Sequence, residues 1–297
     1  KFSKLLFLII LCLLGGGIFS MIGLALSSII WDIPFGEIQH SLRDLDLKSN
    51  VSLLKFLQFF NTIGLFIIPG IAYSIFILPR KEDSLKVKNI GPLFNYGLIV
   101  ILFIVLIPLI NYSVMLNELL DLPEFLHSIE TWMKNAEESA KKITTAFLSM
   151  NSISELLLNI VLIAVLPALG EELIFRGILQ QLINKDLKTY HIGIWVSAII
   201  FSAIHFQFYG FFPRMFLGAF FGYLFYWSGN LWLAIFAHCL NNATGVIAAY
   251  YLGSNSHESE FDQLGTKDGS EIFTLISAVL FILLLMQFKN EQKKSRL

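Results

Sequence analysis

Hydrophobic residues fall into eight long runs that are separated by short polar linkers. A helix crosses the hydrocarbon core of a bilayer with about 20 apolar residues, and each run approaches or exceeds that length. The pattern therefore predicts an all-α, polytopic membrane protein with about eight transmembrane helices. Since the fifth and sixth runs are short and adjacent, seven spans and one re-entrant segment are the alternative. The predicted spans are residues 5–29, 54–79, 91–112, 153–181, 191–208, 213–228, 231–252 and 271–288.

The segment 113–152, between the third and fourth runs, has a different pattern. After Pro123, apolar residues recur at helical spacing from Phe125 to Phe147, and charged residues occupy the opposite face. This predicts an amphipathic surface helix. Two roles are open for it: packing on the bilayer surface or on neighbouring loops, and gating of a substrate.

Composition supports the membrane assignment. The 297 residues are 56% hydrophobic and 14% charged, which lies outside the range of soluble globular proteins. Membrane lipids are thus expected partners, and nothing points to nucleic acid. Both cysteines, Cys12 and Cys239, lie in predicted spans, which argues against a disulfide framework or a cysteine-based metal site. The first run is too long for the apolar region of a signal peptide and is expected to remain as a helix.

Lysine and arginine residues concentrate in alternate linkers, which orients the spans under the positive-inside rule. The pattern predicts an integral membrane protein with both termini in the cytoplasm, and the short loops are typical of a bacterial plasma membrane protein. Arg43, Lys48 and Arg214 fall on the opposite side and weaken the pattern. The basic residues that support it are Lys1, Lys4, Arg80, Lys81, Lys86, Lys88, Lys185, Lys188, Lys289, Lys293, Lys294 and Arg296.

The run Gly-Glu-Glu-Leu-Ile-Phe-Arg-Gly, from Gly170 to Gly177, places three charged residues inside the fourth apolar segment. Each charged side chain at the centre of a spanning helix costs about 2.5 to 3.5 kcal/mol, so such residues mark functional sites by default. A proton relay, an ion ligand and a purely structural cluster are the alternatives. The two terminal glycines would let neighbouring helices approach closely.

Helical geometry separates the two carboxylates of this run. Glu172 and Arg176 are four residues apart, share a face and are predicted to form an ion pair that keeps both charged. Glu171 points elsewhere and has no partner on its own helix, which makes it the candidate general base. Pro167 frees a backbone carbonyl four residues before it and is expected to kink the helix near the site.

Two histidines occur in later apolar runs. His205 follows Phe201 by four residues, and His238 precedes Asn242 by four, so each pair is expected to share a helix face. Asn241 competes as the partner of His238, but the spacing of four is preferred. Histidines on two different spans, together with the charged run, predict convergence on one polar cavity.

Other protease mechanisms lack their motifs. The chain has no His-Glu-x-x-His, Gly-x-Ser-x-Gly or Gly-x-Gly-Asp. What remains is activation of water by Glu171 and His205, directly or on a metal, with His238 and Asn242 as donors to a developing oxyanion. Two further hypotheses are a proton- or ion-coupled transporter, for which no internal repeat is visible, and a non-catalytic immunity or scaffold protein.

The three motifs resemble those of the CPBP intramembrane proteases, also called the Abi or CAAX-protease family, which includes the Ras-converting CAAX endopeptidase. The resemblance covers about residues 152–250. It implies an eight-helix membrane core with a conical intramembrane catalytic cavity. In the residues it matches, it implies Glu171 and His205 as the water-activating pair, His238 and Asn242 as oxyanion stabilisers, and Glu172, Arg176 and Phe201 as supporting positions.

The resemblance also bears on partners, cofactors and domains. It implies a peptide or the C-terminus of a protein as substrate, with or without a lipid, as in prenyl-protein or bacteriocin processing. Zinc is the one cofactor it raises, and three ligands would require Glu171, His205 and His238; metal-free water activation is favoured. The expected divisions are 1–151 with three spans and the amphipathic helix, 152–252 as the catalytic core, and 253–297 with the last span and a basic tail.

Overall fold

The chain folds into a bundle of helices in a computed structural model that describes residues 2–36, 38, 50–78, 84–87, 89–120, 122–185, 189–253, 264–266 and 270–294. These residues form nine helices of 14 or more residues and contain no β-strand, which confirms the all-α prediction. The helices are α1 (Phe2–Trp31), α2 (Val51–Phe76), α3 (Leu93–Glu118), α4 (His127–Leu148), α5 (Ile153–Asn184), α6 (Tyr190–Ala203), α7 (Phe211–Ser228), α8 (Leu231–Leu252) and α9 (Glu271–Lys294).

Six of these helices are long and apolar enough to cross a membrane: α1, α2, α3, α5, α8 and α9. Helix α6, with 14 residues, is shorter, and α7 is not among the six. Each of the eight apolar runs coincides with a helix, but the count of eight spans stays a prediction.

Several residues behind the predicted orientation lie outside the described part of the chain, so the orientation also stays a prediction. They are Lys1, Arg43, Lys48, Arg80, Lys81, Lys88, Lys188 and Arg296.

Helix α5 holds the centre of the bundle and packs against α2 on one side and α8 on the other. One buried core lies among α3, α7, α8 and α9 and includes Leu102, Phe221 and Leu233. A second joins α1, α2 and α5 around Tyr73 and Ile178. The outer faces of α1 and α9 expose large apolar side chains, as expected of helices that face lipid.

Helices α2 and α5 are not regular α-helices throughout. Each contains a π-helical segment just before a proline: Ile63–Ile67 precedes Pro69, and Ile160–Val165 precedes Pro167. A proline cannot donate to the helix ladder, and π segments accommodate such interruptions, often at functional sites. A second π segment, Phe175–Gln180, follows in α5. Both glutamates of the charged run therefore lie on the short α-helical stretch between two π segments.

The two interrupted helices cross in close contact. A Cβ atom added to Gly170 would lie 2.7 Å from Cβ of Phe66 and 3.1 Å from Cγ1 of Ile67. Because only hydrogen fits at this position, the glycine lets α2 pack directly against the helix that carries the charged run.

The predicted span 191–208 is too long, because α6 ends at Ala203. The chain then turns: Phe206 has a φ of 52°, and the Ser202 hydroxyl donates to the carbonyl of Phe211 at 2.7 Å. A short 3-10 turn, Phe208–Gly210, leads into α7. His205 thus lies in the turn after α6 and not on a helix, which corrects the prediction. We call residues 204–210 the His205 turn.

Two other helices pack on the His205 turn. The Asn117 side chain of α3 donates from Nδ2 to the carbonyl of Phe208 and accepts from N–H of Phe212, both at 2.8 Å. From α4, the Trp132 ring lies 5.3 Å from the ring of Phe208. The amphipathic helix is therefore in contact with the turn, while much of its apolar face, including Ile129 and Ile143, stays exposed.

Candidate active site

A buried charged cluster lies between α5 and α8. Glu172 Oε1 accepts a hydrogen bond from Arg176 Nη1 at 2.7 Å and lies 2.8 Å from Nδ1 of His238. Glu172 and Arg176 are both fully buried. The spacing of four within α5 therefore gives an ion pair, and α8 adds a histidine to it from across the bundle.

Arg176 ties this cluster to the helices behind it. Its Nη2 donates to the carbonyl of Gly218 on α7 at 2.7 Å. The guanidinium also lies over aromatic rings, 4.9 Å from the centroid of Phe201 and 5.5 Å from that of Phe221. Since cation–π contacts strengthen when water is excluded, the aromatic side chains help to hold the buried charge in place.

Glu171 is buried but is not part of this hydrogen-bonded cluster. Its Oε2 has no hydrogen-bond partner among the described residues, and it lies 3.9 Å from Nε2 of His238. That separation is too long for a direct hydrogen bond and short enough for one bridging water. A carboxylate oxygen that faces a histidine nitrogen across such a gap is well placed to take a proton from a bound water.

His238 links the two glutamates. Because a carboxylate only accepts hydrogen bonds, the Nδ1 that faces Glu172 carries a hydrogen. The ring stacks on Phe221 with centroids 5.2 Å apart and planes 15° apart, so its orientation is fixed on two sides. In the neutral ring, Nε2 toward Glu171 is then a bare acceptor; with both nitrogens protonated it becomes a donor.

Asn242, the expected partner of His238, makes other contacts. Its Nδ2 donates to the carbonyl of Ile163 at 3.1 Å, and its Oδ1 accepts from Asn241 at 3.0 Å. Ile163 is four residues before Pro167, which has no N–H to offer to that carbonyl. Asn242 thus donates the hydrogen bond that the proline cannot. The spacing of four between His238 and Asn242 did not predict the hydrogen-bond partners of these two side chains.

His205 joins the site through an aromatic ring. Its Nδ1 lies 2.7 Å from the carbonyl of Phe201, so Nδ1 carries the hydrogen and Nε2 of the neutral ring is an acceptor. The Phe201 ring contacts both histidines, with centroids 5.1 Å from His205 and 5.7 Å from His238. No nitrogen of His205 lies within 4.0 Å of a carboxylate oxygen among the described residues. The structure therefore does not bring His205 into direct contact with Glu171.

Arg214 is a residue of this region that the sequence analysis treated only as a loop charge. It lies in the first turn of α7, where Nη2 donates to Gln207 Oε1 at 2.8 Å and Nη1 donates to the Gln207 carbonyl at 3.3 Å. Its charge interacts with those of Glu171 and Glu137. The sequence did contain a signal for Arg214, because a charged residue at the edge of an apolar run is a candidate functional residue, as in the charged run of α5.

The residues proposed as zinc ligands do not form a metal-binding group. Among the described residues, no set of three or more His, Cys, Asp or Glu side chains is arranged to hold a metal ion. The Nδ1 bonds of His238 and His205 leave both Nε2 atoms free, as in metal-binding histidines, so the misfit lies in the spacing of the three residues. The arrangement of Glu171, His205 and His238 therefore does not fit a three-ligand zinc site.

The fold and the site together define an integral membrane protein with a buried cluster of carboxylates and histidines inside its helical bundle. Residues 153–244 match the family model described as type II CAAX prenyl endopeptidase Rce1-like. This match confirms the resemblance to the CPBP proteases over that region. At the level of the family, it supports a CAAX-type intramembrane protease.

A bacterial relative matches part of the same chain. The protein is 32% identical over 89 residues to the uncharacterized protein YpbD of Bacillus subtilis (strain 168). The matched stretch is 29% of this chain and 42% of the length of that relative. No solved structure matches the chain.

Proposed function

We propose that the protein is an intramembrane endopeptidase that hydrolyses a peptide bond with a water molecule activated by Glu171. One observation carries the proposal: a buried Glu171 oxygen without a hydrogen-bond partner among the described residues faces Nε2 of His238 at 3.9 Å. The family match over residues 153–244 supports the same class of reaction.

In the proposed reaction, Glu171 takes a proton from the water while the water oxygen attacks the carbonyl carbon of the substrate. The bare Nε2 of His205 is a second acceptor that can orient this water. As the tetrahedral intermediate collapses, the carbon–nitrogen bond breaks and the proton passes from Glu171 to the leaving amine. Each proton is accounted for without an external base.

The oxyanion that forms in the attack needs hydrogen-bond donors. Asn242 can provide one, because only one of the two Nδ2 hydrogens is needed for the bond to Ile163. His238 lies between Glu172 and Glu171 and can donate from Nε2 only as an imidazolium. The ion pair of Glu172 with Arg176 then serves as a positioning group.

The proposal also covers the substrate, the cellular location and the bounds of the catalytic core. The family description favours a CAAX-type substrate, namely the C-terminus of a protein or peptide that carries a lipid on its cysteine; peptide or bacteriocin processing without a lipid is the second option. We place the catalytic core at residues 152–252. The distribution of basic residues supports an orientation with both termini in the cytoplasm, and the short loops support a bacterial plasma membrane location.

The test is a cleavage assay with purified protein in lipid nanodiscs. Peptides ending in a CAAX sequence, farnesylated and unmodified, are incubated with the native protein and with Glu171→Gln, His205→Gln and His238→Gln. Because loss of a positioned acid or base lowers rates by about 10² to 10⁴, each variant should lose at least about 99% of kcat. Mass spectrometry of the products identifies the cleaved bond.

Glu291→Gln is the matched control, because it also removes one carboxylate but lies near the end of α9 beside Lys294. This variant should retain native activity. If Glu171→Gln folds and cleaves at the native rate, the proposed base is wrong. If a chelator abolishes cleavage, the metal-free form of the mechanism is wrong.

A further inference from the structure

A cavity of about 1200 Å³ lies apart from the charged cluster, between the start of α2, the last turns of α4 and the start of α5. Its wall is mostly apolar, with Phe56 and Phe59 from α2 and Leu158 and Leu162 from α5. Leu162 is nine residues into α5, so this wall extends about 14 Å along the helix axis.

Lys55 lines the same cavity and is buried with only 7% of its surface exposed. No hydrogen bond or ion pair within 4.0 Å involves its ammonium group among the described residues. Such a group is costly to bury without an anion or hydrogen-bond acceptor. Lys55 is four residues after Val51, about 6 Å along α2 from its start.

The acidic side chains around the cavity have other partners. Glu155 Oε2 accepts from the backbone N–H of Asn151 at 2.7 Å, and Ser152 caps the same helix start. The arrangement resembles a capping box, except that the carboxylate accepts from the residue before the N-cap. Glu155 attracts the charge of Lys55 without a direct bond to it. Glu138 pairs with Lys142 at 2.8 Å. The cavity therefore combines a buried cation that has no direct hydrogen bond or ion pair among the described residues with an apolar wall.

We propose that this cavity binds a phospholipid with an anionic headgroup, whose phosphate meets Lys55 and whose acyl chain lies along Phe59 and Leu162. The two halves of the ligand match the two halves of the cavity: a phosphate satisfies the buried ammonium group, and an acyl chain covers the apolar wall. Basic pockets between transmembrane helices bind anionic lipid headgroups by this chemistry. The site is separate from Glu171 and does not depend on the proposed hydrolysis.

The test compares the native protein with Lys55→Met and, as matched control, Lys294→Met, whose lysine is exposed at the end of α9. Each protein, purified in detergent and delipidated, is titrated with phosphatidylglycerol, phosphatidylcholine or inorganic phosphate. Native mass spectrometry gives the bound lipid, and thermal unfolding gives the shift in midpoint. The native protein and Lys294→Met should bind phosphatidylglycerol about tenfold more tightly than phosphatidylcholine, because the choline cation of phosphatidylcholine repels the Lys55 ammonium group and offsets the charge of the phosphate.

Lys55→Met should lose this preference and bind both lipids with equal affinity. Without lipid it should be at least as stable as the native protein, because methionine removes a buried unpaired charge while keeping the side-chain volume. The proposal is overturned if Lys55→Met keeps the preference for phosphatidylglycerol, or if inorganic phosphate alone stabilises the protein to the same extent. It is also overturned if Lys55→Met is equally destabilised with every lipid and without any, which would indicate a structural lysine.

Discussion

The ion pair of Glu172 with Arg176 allows a quantitative prediction about the stability of the bundle. Arg176 donates two charge-assisted hydrogen bonds, to Glu172 Oε1 and to the carbonyl of Gly218, both at 2.7 Å. Each such hydrogen bond contributes about 1.5 to 3 kcal/mol, so their sum is about 3 to 6 kcal/mol. Breaking a buried ion pair by removing one partner costs about 3 to 5 kcal/mol, which agrees. Arg176→Met should therefore lower the free energy of unfolding by about 3 to 5 kcal/mol.

Glu172→Gln should cost about 3 kcal/mol, because the amide keeps the shape but leaves the guanidinium without a counter-charge. The double variant Glu172→Gln/Arg176→Met removes both charges and should be more stable than the two single losses predict, by about 2 to 3 kcal/mol. The assay is reversible unfolding in mixed micelles of detergent and increasing dodecyl sulfate, followed by circular dichroism. A coupling energy below about 0.5 kcal/mol would show that the two side chains do not form the ion pair described.

Two more variants test the packing of the site. Gly170→Ala forces a methyl group against Phe66 and should lower the free energy of unfolding by about 1 to 3 kcal/mol in the same assay. The control is Gly97→Ala, whose added methyl group meets no atom within 4 Å and which should be neutral or stabilising. Equal effects of the two substitutions would contradict the close crossing of α2 and α5. Arg214→Met removes both hydrogen bonds to Gln207 and should lower kcat/KM by about tenfold or more. Arg214→Lys keeps the positive charge and should retain part of the activity. Native kinetics in both variants would show that the His205 turn does not need these hydrogen bonds.

The spacing of residues along the chain correctly predicted the positions of the helices and the contacts within a single helix. The apolar runs correspond to the observed helices, and the interval of four between Glu172 and Arg176 gives the ion pair because residues four apart share a helix face. The same rule failed for His238, whose Nδ1 faces a carboxylate that is 66 residues away in the chain. Contacts between helices depend on how the helices are rotated against each other, and a single sequence does not contain that rotation.

The hydropathy pattern also did not predict where α6 ends. Residues 204–210 are aromatic and apolar enough to continue the predicted span, but the Ser202 hydroxyl and Asn117 hold their backbone in a turn. Arg214 was counted among the loop charges although it lies at the edge of an apolar run, and Lys55, the second residue of the predicted span 54–79, was given no role. The contacts that end α6 come in part from another helix, since Asn117 belongs to α3.

The brevity of α6 has a consequence for how the protein sits in its membrane. Its 14 residues span about 21 Å, whereas the hydrocarbon core is about 30 Å thick. A backbone that leaves its helix at this depth must find hydrogen bonds within the protein, as the His205 turn does with Asn117. The resulting hydrophobic mismatch of about 9 Å is expected to thin the lipid annulus beside α6. Water and a peptide approaching from that side would then cross only part of the bilayer before reaching His205.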